Sequence, residues 1–359
     1  MTTIYLIRHA EAEGNLYRIA QGHEDGKLTK RGWEQVNALS KRFENIHIDA
    51  VYSSDLYRTC ATASAIYLPK GLSLNKNPEL REANLGEWEG KPWGEIARKD
   101  PEQLIWFSTK CHLWRVKGGE TAEEAQARLY KAVCKIAKQH DGQTIAIASH
   151  GFAIRMLLGK LEGYPLERIG DSPQEDNTAV SLLEFDGNDL NVVFRSDNSH
   201  LHELAGSGKK IARKRASALE DGMFYQQFST SLHEEFLRDL SAAAWQETGG
   251  IVSVNVDMPY TLFGFNGKTE PSALLQMSGV GHIHLLYVRP EERQQGLGVQ
   301  MIGQAVQWTL SHGGDELNIS LRKENPARAL LEENDFILAG ETVRGEVYLK
   351  KSLRNDLDF

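Results

Sequence analysis

Ile4-Tyr5-Leu6-Ile7-Arg8-His9 is a short apolar run that ends on a guanidinium and an imidazole. A second run, Thr144-Ile145-Ala146-Ile147-Ala148-Ser149-His150-Gly151, ends on another imidazole. Short β-branched runs bounded by turn residues predict buried parallel strands. In an open α/β sheet, ligands bind beyond the carboxyl ends of the strands. Both histidines are therefore expected at that end next to the fixed guanidinium of Arg8, a set of groups suited to holding a phosphate.

Outward from these runs, strand and helix signals alternate to about residue 200. Strands are expected near 2–8, 48–53, 72–77, 143–149, 178–185 and 190–196. Helices are expected near 30–44, 55–68, 92–110, 121–140 and 151–160. This alternation predicts an α/β fold, a three-layer α/β/α unit with a mostly parallel sheet. Residues 204–217 (LAGSGKKIARKRAS) are small, polar and basic without an apolar period, and read as a linker. Helical material is expected after it to about 246. Strands follow at 251–256, 260–265, 282–288, 315–321 and 345–350, with helices at 295–312 and 326–334. A chain of 359 residues exceeds one ordinary core. The expected division is 1–203, a linker over 204–222, and a second, α+β domain over 223–359.

The apolar fraction of 41% and charged fraction of 25% are those of a soluble globular protein. A net charge of −8 argues against general nucleic-acid binding. The opening residues MTTIYLIRHAE become charged too soon for a signal peptide, and no apolar run is long enough to span a bilayer. Cys60, Cys111 and Cys134 have no metal-ligand spacing and make no even disulfide framework, so a reduced, cytoplasmic setting is expected. Ser54 and Asp55 read as a helix N-cap pair, which places Arg58 in a first helical turn where free N–H groups favour an anion.

Six ordered blocks carry a resemblance. They are LIRHAEAEGN (6–15), QGHEDGKLTKRGWEQ (21–35), YSSDLYRTCATA (52–63), LREANLGEWEG (80–90), GGET (118–121) and SHG (149–151). Together they resemble the histidine phosphatase superfamily, with Ala10 where glycine is usual. The resemblance implies that His9 is a nucleophile forming a phosphohistidine, which splits a hard hydrolysis into two steps. It implies that Arg8, Arg58 and His150 surround the phosphoryl oxygens, and that Glu82 is the general acid and then base. Asn15, Gln21, Gly22 and Gly151 are the implied substrate-binding residues, and no metal is required. Glu11 and Glu13 fall near the pocket and read equally well as solvated charges. The interval from Glu82 to His150 is short, as in the small phosphatases of the family rather than its mutases. Hydrolysis of a small phosphorylated metabolite is therefore expected, with phosphoglycerate mutase activity as the alternative. Trp93, Trp106, Phe107 and Trp114 fall in the segment that roofs the pocket, where they either favour apolar substrates or form the core of two helices.

HIHLLYVRPEERQQGLGVQMIGQAVQW (282–308) resembles the central motif of the GNAT acetyltransferases. The resemblance implies an acetyl-CoA pyrophosphate held by Arg293, Gln294, Gly296 and Gly298 at a helix N-terminus. It also implies a thioester carbonyl polarised by the strand N–H near Val288, and a contact from Asn325 in NPARALLEENDF (325–336). Leu331 stands where many relatives have a proton-donating tyrosine, and Asp335 where glycine is usual. Acetyl-CoA binding is thus better supported than transfer to an amine acceptor, and a non-catalytic acetyl-CoA-sensing or interaction role is the alternative. The whole chain reads as bifunctional, with no nucleic-acid or membrane partner.

Overall fold

Strand β1 (Thr2–Arg8) is apolar on both faces, and this decides its place. Ile4 and Leu6 enter one core, with Leu129, Val133, Ile154 and Leu157; Ile7 enters another, with Val36, Leu39 and Ala61. A strand covered on both sides by helices belongs in the middle of a parallel sheet. In the computed structural model, which describes residues 1–202, 222–228, 238, 242, 258–341, 345–355 and 357, β1 lies within a six-stranded sheet. The other strands are β2 (Ala50–Ser53), β3 (Leu74–Lys76), β4 (Thr144–Ser149), β5 (Val180–Phe185) and β6 (Leu190–Asp197), in the order β3-β2-β4-β1-β5-β6. The first four of that order are parallel, and β5 and β6 add an antiparallel edge. β1 and β4 pair from Thr3–Thr144 to Arg8–Ser149, which leaves His9 and His150 side by side at one end of the sheet.

The helices that cover this sheet are α2 (Lys30–Phe43), α3 (Tyr57–Tyr67), α6 (Ala122–Lys138) and α7 (Gly151–Leu161). Between them run α4 (Trp93–Lys99) and α5 (Pro101–Thr109). The single helix expected over 92–110 is thus two. Pro101 has no N–H to continue α4 and instead occupies the first position of α5. A short helix α1 (Glu13–Tyr17) was not expected; five residues carry no apolar period.

A second sheet contains β7 (Phe224–Gln227), β8 (Tyr260–Phe265), β9 (Ala273–Gly279), β10 (His282–Val288), β11 (Glu316–Arg322), β12 (Ile337–Glu341) and β13 (Glu346–Ser352). Their order is β12-β13-β11-β10-β9-β8-β7. Phe224–Gln227 is strand where helical material was expected, because it pairs with β8 from Phe224–Phe265 to Gln227–Leu262. β9 and β12 also went unread: β9 opens on a three-residue apolar run, and β12 is exposed on both faces. Residues 204–221 of the expected linker and the expected strand at 251–256 lie outside the described residues. β10 and β11 are parallel neighbours that pair only at His282–Asn318 and Ile283–Ile319, so they part towards Val288. Helix α8 (Leu297–Ser311) packs Met301, Ile302, Ala305 and Val306 against the sheet, and α9 (Ala327–Glu333) adds Leu331.

The two sheets do not keep separate cores. Tyr17 and Ile19 from the first unit are buried with Met223, Leu275, Met301 and Leu349 of the second. A Cβ on Gly303 of α8 would lie 2.5 Å from Cβ of Tyr17, so the helix backbone comes directly against α1.

Candidate active site

His9 follows the last residue of β1 and is 4% exposed. Its backbone N–H donates to Ser149 O at 2.9 Å, which ties the two strand ends together. Its Nδ1 lies 2.7 Å from Ala10 O. A carbonyl only accepts, so Nδ1 carries the proton and Nε2 keeps the lone pair. Burial, reinforced by Arg58 and Arg8, holds this imidazole well below its ordinary value. His9 is therefore a neutral base at physiological pH.

His150 is fully buried, with its ring centroid 5.3 Å from that of His9. Arg58 Nε donates to His150 Nδ1 at 3.2 Å, so His150 is protonated on Nε2 and donates from there to Ser54 Oγ at 2.8 Å. Burial and then Arg58 hold His150 well below the ordinary imidazole value. Arg58, 1% exposed, also donates from Nη1 to Glu24 O and from Nη2 to Gly22 O, both at 2.7 Å. Asp25 Oδ1 lies 3.7 Å from its Nη1. Arg8 is held by Glu175 O through Nη1, and its Nε is buried without a partner. A buried donor with no partner, close to two neutral imidazoles, is suited to an anionic oxygen.

Glu82 reaches the same place from the loop after β3. Its Oε1 accepts from Ala83 N at 3.0 Å and Ala153 N at 2.8 Å, and its Oε2 accepts from Phe152 N at 3.0 Å. The carboxylate thus sits on the N-terminus of α7, beside Gly151, where it satisfies two of the free N–H groups of the first turn. Gly151 lies close against Arg8: a Cβ there would lie 3.0 Å from Arg8 Nε, a tight contact. Gly22 has φ +51° and turns its carbonyl to Arg58. Asn15 accepts from Ala12 N through Oδ1 at 3.0 Å, holding the start of α1. Gln21 packs across Gly14, where a Cβ would lie 2.3 Å from Gln21 Cδ.

One expectation changes here, and one open alternative closes. Ser54 and Asp55 do not cap α3; Leu56 is the N-cap residue, without a side-chain cap. Ser54 is taken by His150 and Asp55 by Arg81 Nε at 2.6 Å, though Arg58 still lies in the first turn of α3. Glu11 and Glu13 are buried rather than solvated. Glu11 Oε1 accepts from Thr29 Oγ1 at 2.9 Å, and Glu13 pairs with Lys351.

Several participants were not legible in the sequence. His23 Nε2 donates to Glu82 O at 2.9 Å, and Asn177 Nδ2 donates to His9 O at 2.9 Å. Glu175 contributes a backbone carbonyl, which no side-chain pattern announces. Trp114 is fully buried, and Trp93, Trp106 and Phe107 pack with Trp88 in one aromatic cluster. Phe107 also stacks on Phe152 at 4.7 Å, next to the Glu82 carboxylate, so the roof is at once core and wall.

In the second unit, Val288 ends β10 where β11 has parted from it, and Val288 O accepts from Arg293 Nε at 3.0 Å. Gln294 and Gly296 have φ +62° and +81°. A Cβ on Gly296 would meet nothing within 4 Å, and α8 begins there without a side-chain cap. A Cβ on Gly298 would instead lie 2.8 Å from Leu330 Cδ2. Asn325 Oδ1 accepts from Ala327 N at 2.9 Å and holds α9. Leu331 is fully buried in the core. Asp335 takes φ +65°, the conformation a glycine there would supply. An open turn, uncapped N–H groups and diverging strands together fit the pyrophosphate and thioester ends of acetyl-CoA. Among the described residues, no group of three or more His, Cys, Asp or Glu is arranged to hold a metal ion, and no helix is long and apolar enough to cross a membrane.

Comparison with known proteins accords with both halves. Phosphoserine phosphatase 1 of Hydrogenobacter thermophilus is 30% identical over 205 residues, 57% of this chain and 96% of that protein. A probable phosphoglycerate mutase GpmB of Yersinia pestis is 32% identical over 165 residues, 46% of this chain and 77% of that protein. The solved structure of Bacillus stearothermophilus YhfR is 33% identical with a TM-score of 0.55, covering 56% of this chain and all of that one. The acetyltransferase (GNAT) family model matches residues 222–336. The model of the histidine phosphatase superfamily (branch 1) matches residues 4–198, more than half of the chain, and the protein belongs to that superfamily, with a GNAT acetyltransferase domain fused behind it.

Proposed function

We propose that residues 1–203 hydrolyse small phosphomonoesters through a phosphohistidine on His9, without a metal, and that residues 223–359 bind acetyl-CoA. The observation that carries the first reading is the tautomer of His9. With Nδ1–H on Ala10 O and a buried, neutral ring, Nε2 offers its lone pair to phosphorus. The step forms the Nε2–P bond and breaks the P–O ester bond. Glu82 in its acid form hands its proton to the leaving alkoxide, then takes one from the water that attacks phosphohistidine. Arg8 and Arg58 carry the charge on the equatorial oxygens, His150 donates to them when its Nε2–H leaves Ser54, and Asn15, Gln21, Gly22 and Gly151 shape the pocket around them.

Hydrolysis is favoured over mutase chemistry by the short roof. Of the segment from Glu82 to His150, α6 and β4 belong to the layers of the first unit, and α4, α5 and the aromatic cluster form the roof, a modest cover for a phosphohistidine that must be kept from water. The test is a panel of phosphomonoesters, phosphoserine and 3-phosphoglycerate among them, on the full chain. His9→Ala should lower turnover by several orders of magnitude and abolish acid-labile phosphoenzyme. Phosphoenzyme trapped in His9→Ala, or activity lost in EDTA, refutes the reading.

Acetyl-CoA would be held by Arg293, Gln294, Gly296 and Gly298, with Val288 and Asn325 beside it. When bound it supplies an acetyl group activated for transfer to an amine. Leu331 lies in the core and holds no proton, so this residue takes no part in chemistry, and binding without transfer is the alternative role. Full-length protein titrated with acetyl-CoA in a calorimeter decides the matter; absence of heat refutes the cofactor. A cytoplasmic setting accords with the free cysteines.

A further inference from the structure

Residues 12–22 have two faces. One holds Asn15, Gln21 and Gly22, which the phosphatase reading assigns to the phosphate pocket; Gly22 O accepts from Arg58 Nη2 and Asn15 Oδ1 from Ala12 N. The other is part of the second unit: Tyr17 and Ile19 are buried in its core, and α8 leans its glycine, Gly303, on Tyr17. Glu13, in the first turn of α1, is reached from β13 by Lys351, whose Nζ lies 2.8 Å from Glu13 Oε1. The Lys351 side chain is 2% exposed, and its second carboxylate, Asp335 Oδ2, lies at 3.5 Å. Tyr17 adds its hydroxyl to Glu13 Oε1 at 3.2 Å.

A helix of five residues has no stability of its own. Its position is set by what it touches. A buried ion pair is a poor source of net stability but a strict one of geometry, since either charge left alone in the interior is costly. Glu13 and Lys351 therefore fix the rotation of α1. Asn15 follows two residues later, and the chain leaves α1 through Arg18, at φ 60°, towards Gln21 and Gly22.

We propose that Lys351, a residue of the acetyltransferase unit, is a positioning residue of the phosphatase site: its ion pair with Glu13 holds residues 12–22 so that Asn15 and Gln21 face the phosphomonoester. The phosphatase site of this chain is then complete only with its fused partner. The inference rests on the phosphatase reading above.

The test uses full-length protein and two readouts. The first is backbone hydrogen exchange of residues 12–22, which needs no turnover. The second is the separation of KM from kcat on the best phosphomonoester of the panel. Lys351→Met should speed exchange in 12–22, leave 144–161 protected, and raise KM about tenfold with kcat changed much less, as misplacement of a binding group does. Glu13→Gln leaves Lys351 its second partner, Asp335, and so keeps the fold while giving the same KM rise. The double variant Glu13→Gln/Lys351→Met, with no charge stranded, should recover part of the loss in Lys351→Met. Unchanged exchange in 12–22, an unchanged KM in either single variant, or a double variant worse than Lys351→Met overturns the proposal. A chain that hydrolyses no phosphomonoester strikes the functional reading instead, and the exchange data still judge the clamp.

Discussion

Replacing Glu82 by glutamine separates its chemistry from its structural bonds. The carboxylate accepts three backbone N–H groups, two on Oε1 and one on Oε2. A glutamine oriented with its oxygen towards Ala83 N and Ala153 N turns its NH2 against Phe152 N, where the present separation is 3.0 Å. Donor then faces donor. An unpaired N–H costs about 1–3 kcal/mol, and loss of the anion at the α7 N-terminus about 0.3–1 kcal/mol more. Glu82→Gln should thus be destabilised by about 1–4 kcal/mol in urea unfolding, with an unchanged m value. That damage weakens every substrate alike. Loss of the acid does not: alkyl phosphates, whose leaving groups need a proton, should lose about 10²–10⁴-fold in kcat. Aryl phosphates, with stable leaving groups, should lose far less. The assay is a series of esters of graded leaving-group pKa, run on both proteins at pH 6. Equal losses across the series would show that Glu82 only caps α7, and the acid role would fall.

Three further outcomes follow from the geometry. Ser54→Ala strands the buried Nε2–H of His150 and should cost about 1–3 kcal/mol of stability; a shift in unfolding free energy within error of zero refutes the Ser54–His150 hydrogen bond. His9 and His150 are held neutral well below 6.5, and His200 is pushed down to about 4 by burial and then Arg42. The unfolded chain therefore binds more protons as pH falls below about 6.5, so stability should decline from there towards pH 4, and the acid limb of kcat/KM should lie below 6.5; a stability maximum near pH 4.5 contradicts this. Gly296→Val puts a side chain into the open turn and strains φ +81°. Acetyl-CoA affinity should fall at least about tenfold by calorimetry, since close backbone approach needs glycine, and equal affinity refutes the loop assignment.

The parts legible in the sequence are those with a period or a motif. β1 and β4 are legible because both faces are buried and, Arg8 apart, every residue is apolar or small. Arg8, His9, Arg58, Glu82 and His150 stood in ordered blocks, and the structure brings them together. What was lost has a common cause: it is carried by backbone or by short, one-sided elements. Glu175 works through its carbonyl, Asn177 through a bond to His9 O, and β12 through exposed residues. Ser54 reads as a local cap because a serine before a helix usually is one; a long-range partner, His150, takes it. Asp335 stands in for the missing glycine by accepting a left-handed φ, as aspartate does at small cost.

Tyr17 and Ile19, seated in the hydrophobic interior of the other sheet, also bear on how the chain comes apart. Two units joined by a linker alone melt in two steps and survive separation by a protease. Here, opening the second sheet uncovers Tyr17, Ile19 and the stem of Leu16 on the first, and withdrawing α1 leaves a hole beside Gly303. Each unit is thus a ligand of the other's folded state, and melting should merge into one calorimetric transition. A fragment ending near residue 203 would carry a sticky apolar patch at the very loop that feeds its catalytic centre, and would aggregate before it could be assayed.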